Sequence, residues 1–169
     1  MIGIVMLTLV MSATAVLSAS APKVGPNYMG FSYSPKTVKV GSTFTMTVYA
    51  DIHSQIDTCA IDKMTYLPAG VINYISVAKG NLFSGSMVWL TPNDKAKYAV
   101  IDNVKGTAYP IVWANMPRVN NVKKNFAVIT FTAMKVGTAT ITITAGGTAG
   151  NGIDPGTTKY VGIVNVVNK

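Results

Sequence analysis

Six aspartates, one histidine and one cysteine make up the acid–base and nucleophilic side chains of this sequence, which has no glutamate. Asp51 and Asp57 flank a polar stretch that contains His53, close enough along the chain to converge with it. Acid–base hydrolysis needs two carboxylates placed together in a cleft. A carboxylate in a turn instead bonds nearby backbone and does no chemistry. Asp62, Asp94, Asp102 and Asp154 complete the set, two of them beside Pro and Asn or Gly in turn-forming runs. Cys59 has no second cysteine to pair with, and in an alternating apolar segment it reads as a small buried hydrophobe rather than a nucleophile. Neither a nucleophile elbow, a zinc-protease helix motif, a paired-cysteine motif nor a phosphate loop is present. The expectation is a protein without catalytic activity and without a cofactor. Calcium is the one ion the residue types invite, because hard oxygen donors on loops suit it. Its candidate ligands are Asp51, Asp57, Asn151 and Asp154, and the competing reading of all four is plain turn residues.

Trp89 with Tyr28, Tyr33, Tyr74, Tyr109 and Tyr160 could form a sugar-stacking platform, or serve as core and interface aromatics. The net charge of +8 raises the question of a nucleic-acid partner. The lysines are scattered singly, with Lys123 and Lys124 the one adjacent pair, and no basic run is interleaved with aromatics. Specific nucleic-acid binding is therefore not expected.

The elements that must position these groups are strands. Hydrophobic residues make up 49% and charged ones 12%, which excludes a disordered chain and implies a surface of Thr, Ser, Asn and Gly of the kind common outside cells. Across residues 37–50 the even positions Val38, Val40, Phe44, Met46, Val48 and Ala50 are apolar and the odd ones largely Thr and Lys, a period of two broken at Gly41-Ser42. Similar alternation marks 59–66, residues 71–77 make the next strand, and a glycine-flanked loop at 81–85 turns Leu82 and Phe83 inward as a plug. Short strands are expected at 86–90, 97–102 and 109–114, with Trp113 in the core and 117–125 a basic, Asn-rich loop. Residues 126–134 and 138–145 read as a hairpin about Lys135-Val136-Gly137, with Ala127, Ile129, Phe131 and Ala133 of the first strand and Ala139, Ile141, Ile143 and Ala145 of the second all pointing to the core side. After a glycine-rich loop at 146–158, residues 160–167 are apolar on both faces and read as a central strand. About nine short strands at regular spacing describe an all-β sandwich of jelly-roll or immunoglobulin-like type.

Residues 1–21 carry no charge and as a helix would span about 30 Å, roughly a bilayer core. Three readings compete: a cleaved signal peptide ending near Ser18-Ala19-Ser20-Ala21, a retained membrane anchor, and an assembly helix. In the third, the segment resembles the mature N-terminus of type IV pilins, archaeal ones in particular. That resemblance implies a helix held first in the membrane and then in a filament core, with Ile4, Leu7, Val10, Met11, Val16 and Leu17 as assembly residues. Retention is the expectation. Residues 22–35, with three prolines and two glycines, form a linker into an edge strand at 28–33, and 36–169 is the domain.

The run KVGSTFTMTVYADIHSQIDTCAIDKMTYLPAGVINYISVAKGNLFSG resembles the cohesin pattern: a V-x-V-G-x-x-F-x-V-x-V strand, an alternating strand ending in Y-x-P, an aliphatic strand and G-x-L-F. FAVITFTAMKVGTATITIT is similar to the A-x-I-x-F-x-x-x-x-x-G-x-x-x-I hairpin of that family, and the likeness extends over about residues 37–167. It implies a nine-stranded jelly roll that binds a calcium-loaded dockerin without enzymatic activity. Two roles follow as expectations: a self-assembling subunit of a cell-surface filament with a cohesin-like outer domain, or an extracellular module that captures a dockerin-like protein or a glycan.

Overall fold

Residues 27–34, 36–85, 87–94, 96–145 and 159–168 are described by the computed structural model. Among them the secondary structure is all β, in twelve strands: β1 Tyr28–Ser34, β2 Thr37–Lys39, β3 Thr43–Ile52, β4 Ile56–Leu67, β5 Ile72–Lys79, β6 Val88–Leu90, β7 Val100–Asp102, β8 Thr107–Tyr109, β9 Ile111–Val119, β10 Val122–Ala133, β11 Gly137–Ala145 and β12 Lys159–Val167. One sheet has the order β1-β3-β10-β5. The other runs β2-β12-β11-β4-β8-β7, with β9 paired to β4 beyond β8 and β6 paired to β9. The expected helix at 1–21 and the loop at 146–158 lie outside the described residues.

The chain crosses from sheet to sheet at most of its connections, and this follows from where its alternation is interrupted. Val38 of β2 is buried in one sheet and Phe44, Met46, Val48 and Ala50 of β3 in the other. Gly41, at φ 83°, takes the left-handed backbone that lets the chain change sheets there. The inward residues then meet: Ile129 and Phe131 of β10 with Ile141 and Ile143 of β11, Ile61, Met64 and Tyr66 of β4, and Ile72 and Tyr74 of β5, in one core. Val40 packs against its margin. Leu82, Phe83 and Trp113 are buried as the sequence implies.

Three expectations are corrected. Residues 126–134 and 138–145 do not form a hairpin, because β10 and β11 belong to different sheets and face each other across the core. Alternation shows which side of a strand is buried but not whether the next strand lies beside it or opposite it. Residues 117–125 are not a loop. They are the end of β9, a turn at Asn120 and Asn121 with φ 50° at Asn121, and the start of β10. Their polarity reflects strand ends that project past the core. Finally, β12 lies between β2 and β11, an inner strand as expected, but its outer face is not covered: Val161 and Ile163 point outward and are at least half exposed. Of the 97–102 segment only Val100–Asp102 is strand, and Pro110, with no N–H to give a ladder, separates β8 from β9.

The β5 edge of the smaller sheet is closed by side chains of the β6–β8 excursion. Asn103 Oδ1 accepts from Tyr74 N at 2.9 Å and from the Tyr66 hydroxyl at 2.6 Å, and Asn103 Nδ2 donates to the Tyr74 carbonyl at 3.3 Å. Asn93 Nδ2 donates to the Ile75 carbonyl at 2.9 Å, and Asn93 Oδ1 accepts from the Tyr74 hydroxyl. These amides stand in for a further strand, so an edge that would otherwise template aggregation is covered.

Two outcomes are expected. Phe131→Ala should lower unfolding free energy by roughly 3 to 5 kcal/mol in urea titration, since Phe131 is fully buried; a loss under about 1 kcal/mol would place it outside the core. Burial pushes the Tyr66 hydroxyl up from 10 to about 12, with Asp102 adding to and the Tyr74 backbone opposing the shift. The folded phenol keeps its proton after the unfolded one has lost it, so the stability it contributes is intact below pH 10 and lost as pH rises toward 12. The urea midpoint should therefore fall between pH 9 and pH 11, and fall less in Tyr66→Phe; an equal fall in both would remove Tyr66 from the account.

Candidate functional site

The carboxylates expected to converge are taken up separately. Asp51 is buried in β3, where His53 Nε2 lies 3.0 Å from its Oδ1 and Lys123 Nζ 3.9 Å from its Oδ2. Asp57 is on β4 in the other sheet, accepting from Arg118 Nε at 3.2 Å and from Thr58 Oγ1 at 3.0 Å. His53 thus joins Asp51 alone. Asp94 accepts from Thr91 N at 2.6 Å and from its hydroxyl at 3.0 Å, as a turn residue does. Asp102 accepts from Lys105 N at 2.9 Å, and this bond, with the Lys105 ammonium 3.4 Å away, holds its carboxyl below the usual range. Asp62 is exposed. Among the described residues no three His, Cys, Asp or Glu side chains gather as a metal site would require. Asn151 and Asp154 lie outside those residues, as do Ile4, Leu7, Val10, Met11, Val16 and Leu17.

The aromatics are likewise committed. Trp89 packs edge-to-face on Trp113 at 5.7 Å and on Phe126 at 6.3 Å, with Lys79 Nζ 5.7 Å above its ring. Tyr74 is buried and Tyr109 half-buried. The side chains of Tyr28, Tyr33 and Tyr160 fall outside the described ones.

What the structure does present is a face. On β4, β9 and β6 the inward row Cys59, Trp113 and Trp89 is matched by outward rows, Thr58–Ala114–Val88 and Ala60–Val112–Leu90, fixed by strand register. Met87 and Met116 extend this patch, and both stand well out of the surface, 72% and 57% exposed beside Val88 at 48%. Together Met87, Val88, Ala114 and Met116 line a depression of about 230 Å³ whose polar margin is Asp57, Thr58 and Asn115. Beneath it the floor is stiff: Phe83 packs on Trp113 at 5.3 Å, and Trp113 Nε1 donates to the Gly85 carbonyl at 2.9 Å. Toward β11 the face continues as Leu67 and Thr65 of β4 opposite Thr140 and Thr142. The Asp57–Arg118 pair closes one end.

Large exposed apolar patches with polar rims mark protein docking, and flexible thioethers suit a surface that must fit a partner. Sequence reasoning missed this face. Its signal was there in Ile111–Ala114, apolar on both faces, which reads equally as a strand buried on both sides.

No family model matches the chain, and no curated protein matches it. Its structure is similar to the third cohesin of ScaC from Acetivibrio cellulolyticus, solved in complex with the ScaB dockerin, with a TM-score of 0.60 at 17% identity over 83% of this chain and 99% of that one. It is similar as well to the seventh type I cohesin of ScaB from Pseudobacteroides cellulosolvens, at a TM-score of 0.55 and 17% identity over 84% and 94% of the two chains. A third likeness is to a non-cellulosomal cohesin from the archaeon Archaeoglobus fulgidus, at a TM-score of 0.52 and 10% identity over 83% and 91%. The described sandwich has a cohesin-like fold.

Cys59 gives the site's chemical test. It is fully buried, and burial drives its thiol far above the ordinary range. A disulfide reagent should label it only as fast as the chain unfolds; labelling complete within the mixing time in native buffer would make it a surface thiol.

Proposed function

We propose that this chain is a non-enzymatic, extracellular docking module that binds a dockerin-like protein through the outward face of β4, β9 and β6. The observation that carries the reading is the patch of Met87, Val88, Ala114 and Met116, exposed, nearly uncharged and laid on a rigid aromatic floor. Burying such a patch against a partner gains roughly 25 cal/mol per Å² of apolar surface, and no lone charge at its centre has to be stripped of water. The cohesin-like fold supports the choice of partner class, since the ScaC cohesin it resembles was solved holding a dockerin. The non-enzymatic reading is supported by the dispersal of Asp51, His53, Asp57 and Cys59 into an internal hydrogen bond, a rim ion pair and the core. The filament role depends on residues 1–21, outside the described part, whereas docking is supported by a described surface. A glycan platform would need the faces of Trp89, which Trp113, Phe126 and Lys79 occupy.

Calorimetric titration against a panel of calcium-loaded type I and type II dockerins tests the reading. One member should bind, and Val88→Glu or Ala114→Arg should weaken it by at least about tenfold, the loss expected when a charge enters the centre of an interface. Both sites are on the surface, so thermal midpoints should hold. Silence across the panel would overturn the dockerin assignment, and binding indifferent to both substitutions would overturn the face.

A further inference from the structure

The chain enters the sandwich at one fixed place. Asn27 is buried, and its Oδ1 accepts from His53 N at 2.7 Å and from Ser54 N at 3.1 Å, which ties the start of β1 to the turn between β3 and β4. From there two cross-strand rows lead to the one adjacent lysine pair in the sequence: Tyr28–Asp51–Lys123 and Met29–Ala50–Lys124. At about 4.8 Å per strand, each lysine backbone lies roughly 10 Å from the entry point.

Ahead of that point are residues 22–26, Pro-Lys-Val-Gly-Pro, which fully extended reach about 17 Å, and then the uncharged residues 1–21. Lys36, Lys39 and Lys135 are as exposed as Lys123 and Lys124, but they stand at the other end of the sandwich. The length of β10, twelve residues, puts about 40 Å between the two ends, several screening lengths at ordinary salt.

We propose that the end of the sandwich bearing Lys123 and Lys124 rests on an anionic bilayer surface into which residues 1–21 insert. The tether is too short for the other end to reach, and an apolar segment joined to a basic patch is the two-signal form of stable membrane attachment. Among the described residues this end also holds Lys79 over Trp89 and the Arg118–Asp57 pair, while the buried Asp51, shared with His53, offsets part of the Lys123 charge. Among the described residues Lys124 has no such counter-charge. The attachment is independent of what the β4–β9–β6 face binds.

The test uses the full chain and two vesicle types, zwitterionic phosphatidylcholine and the same lipid with about a third phosphatidylglycerol, compared by flotation in low salt. Insertion of the apolar segment is common to both, so the ratio of the two partition coefficients isolates the basic end. Each lysine at the surface is worth about fivefold, so Lys123→Gln/Lys124→Gln should cut that ratio by about 25-fold and Lys124→Gln alone by about fivefold. Lys39→Gln/Lys135→Gln should leave it within about threefold, and half-molar salt should abolish it. Three results would overturn the proposal: equal losses from the two lysine pairs, no preference for the anionic vesicles, or a chain recovered from cells without residues 1–21. The single Lys124 variant keeps the test decisive should the double variant, which also removes a partner of Asp51, fold poorly.

Discussion

Phe131 is the contact on which the two sheets depend. From near the C-terminal end of β10 its ring stacks on Phe44 of the same sheet at 5.5 Å and meets the edge of Tyr66, from the other sheet, at 5.8 Å. Tyr74 packs edge-on from β5 at 6.3 Å. Large rings in this arrangement bury much area and resist sliding, so the facing sheets are held in one relative position. The polar ends of the two tyrosines then have to be satisfied inside the domain, and Asn103 and Asn93 do so while also closing the β5 edge. Burial of the aromatic centre and protection of the edge are thus the work of one excursion of chain between β5 and β9.

The same constraint decides what faces outward. With Cys59 and Ile61 of β4 fixed inward, and Met64 and Tyr66 inward beyond the irregularity at Asp62 and Lys63, period two within each part sends Thr58, Ala60 and Thr65 out, and register carries the choice to Ala114 and Val112 on β9 and to Val88 and Leu90 on β6. The exposed β4–β9–β6 face is therefore a consequence of core packing and cannot be shifted by one residue without exposing Trp113. Its rigidity has the same origin, because the residues under it are the Trp89, Trp113 and Phe83 cluster.

Much of this was legible in the sequence. Alternation at Val38, Phe44, Met46, Val48, Ile129, Phe131, Ile141 and Ile143 identifies the core, and the ordered motifs from Val38 to Gly85 point to a cohesin-like sandwich. Pairing was not legible, as β10 and β11 show: their inward residues satisfy a hairpin and a facing arrangement equally well, and the difference lies in contacts with β3 and β4 far away in sequence. The candidate chemistry failed for another reason. Nearness along the chain brought Asp51, His53 and Asp57 together on paper, but Asp51 ends one sheet and Asp57 begins the other, and each found a different basic residue more than sixty positions downstream or two positions away. The exposed β4–β9–β6 face was hidden because an apolar outward row looks, in one dimension, like a second buried one.

An attached end and a docking face also make a consistent geometry. The strands run from the Asn27 end to the Gly41 end, so a sandwich resting on the former stands with its strands upright and its sheet faces at right angles to the lipid surface. The Met87–Met116 patch would then look sideways, near the membrane-proximal half, since Asp57 and Met116 lie on the strand ends closest to Asn27. A partner would approach parallel to the surface instead of from above. The two functions would then use surfaces that meet at the Asp57–Arg118 pair, one set by charge and tether length and the other by apolar packing, so salt would loosen the attachment while leaving the apolar part of the docking contact nearly unchanged.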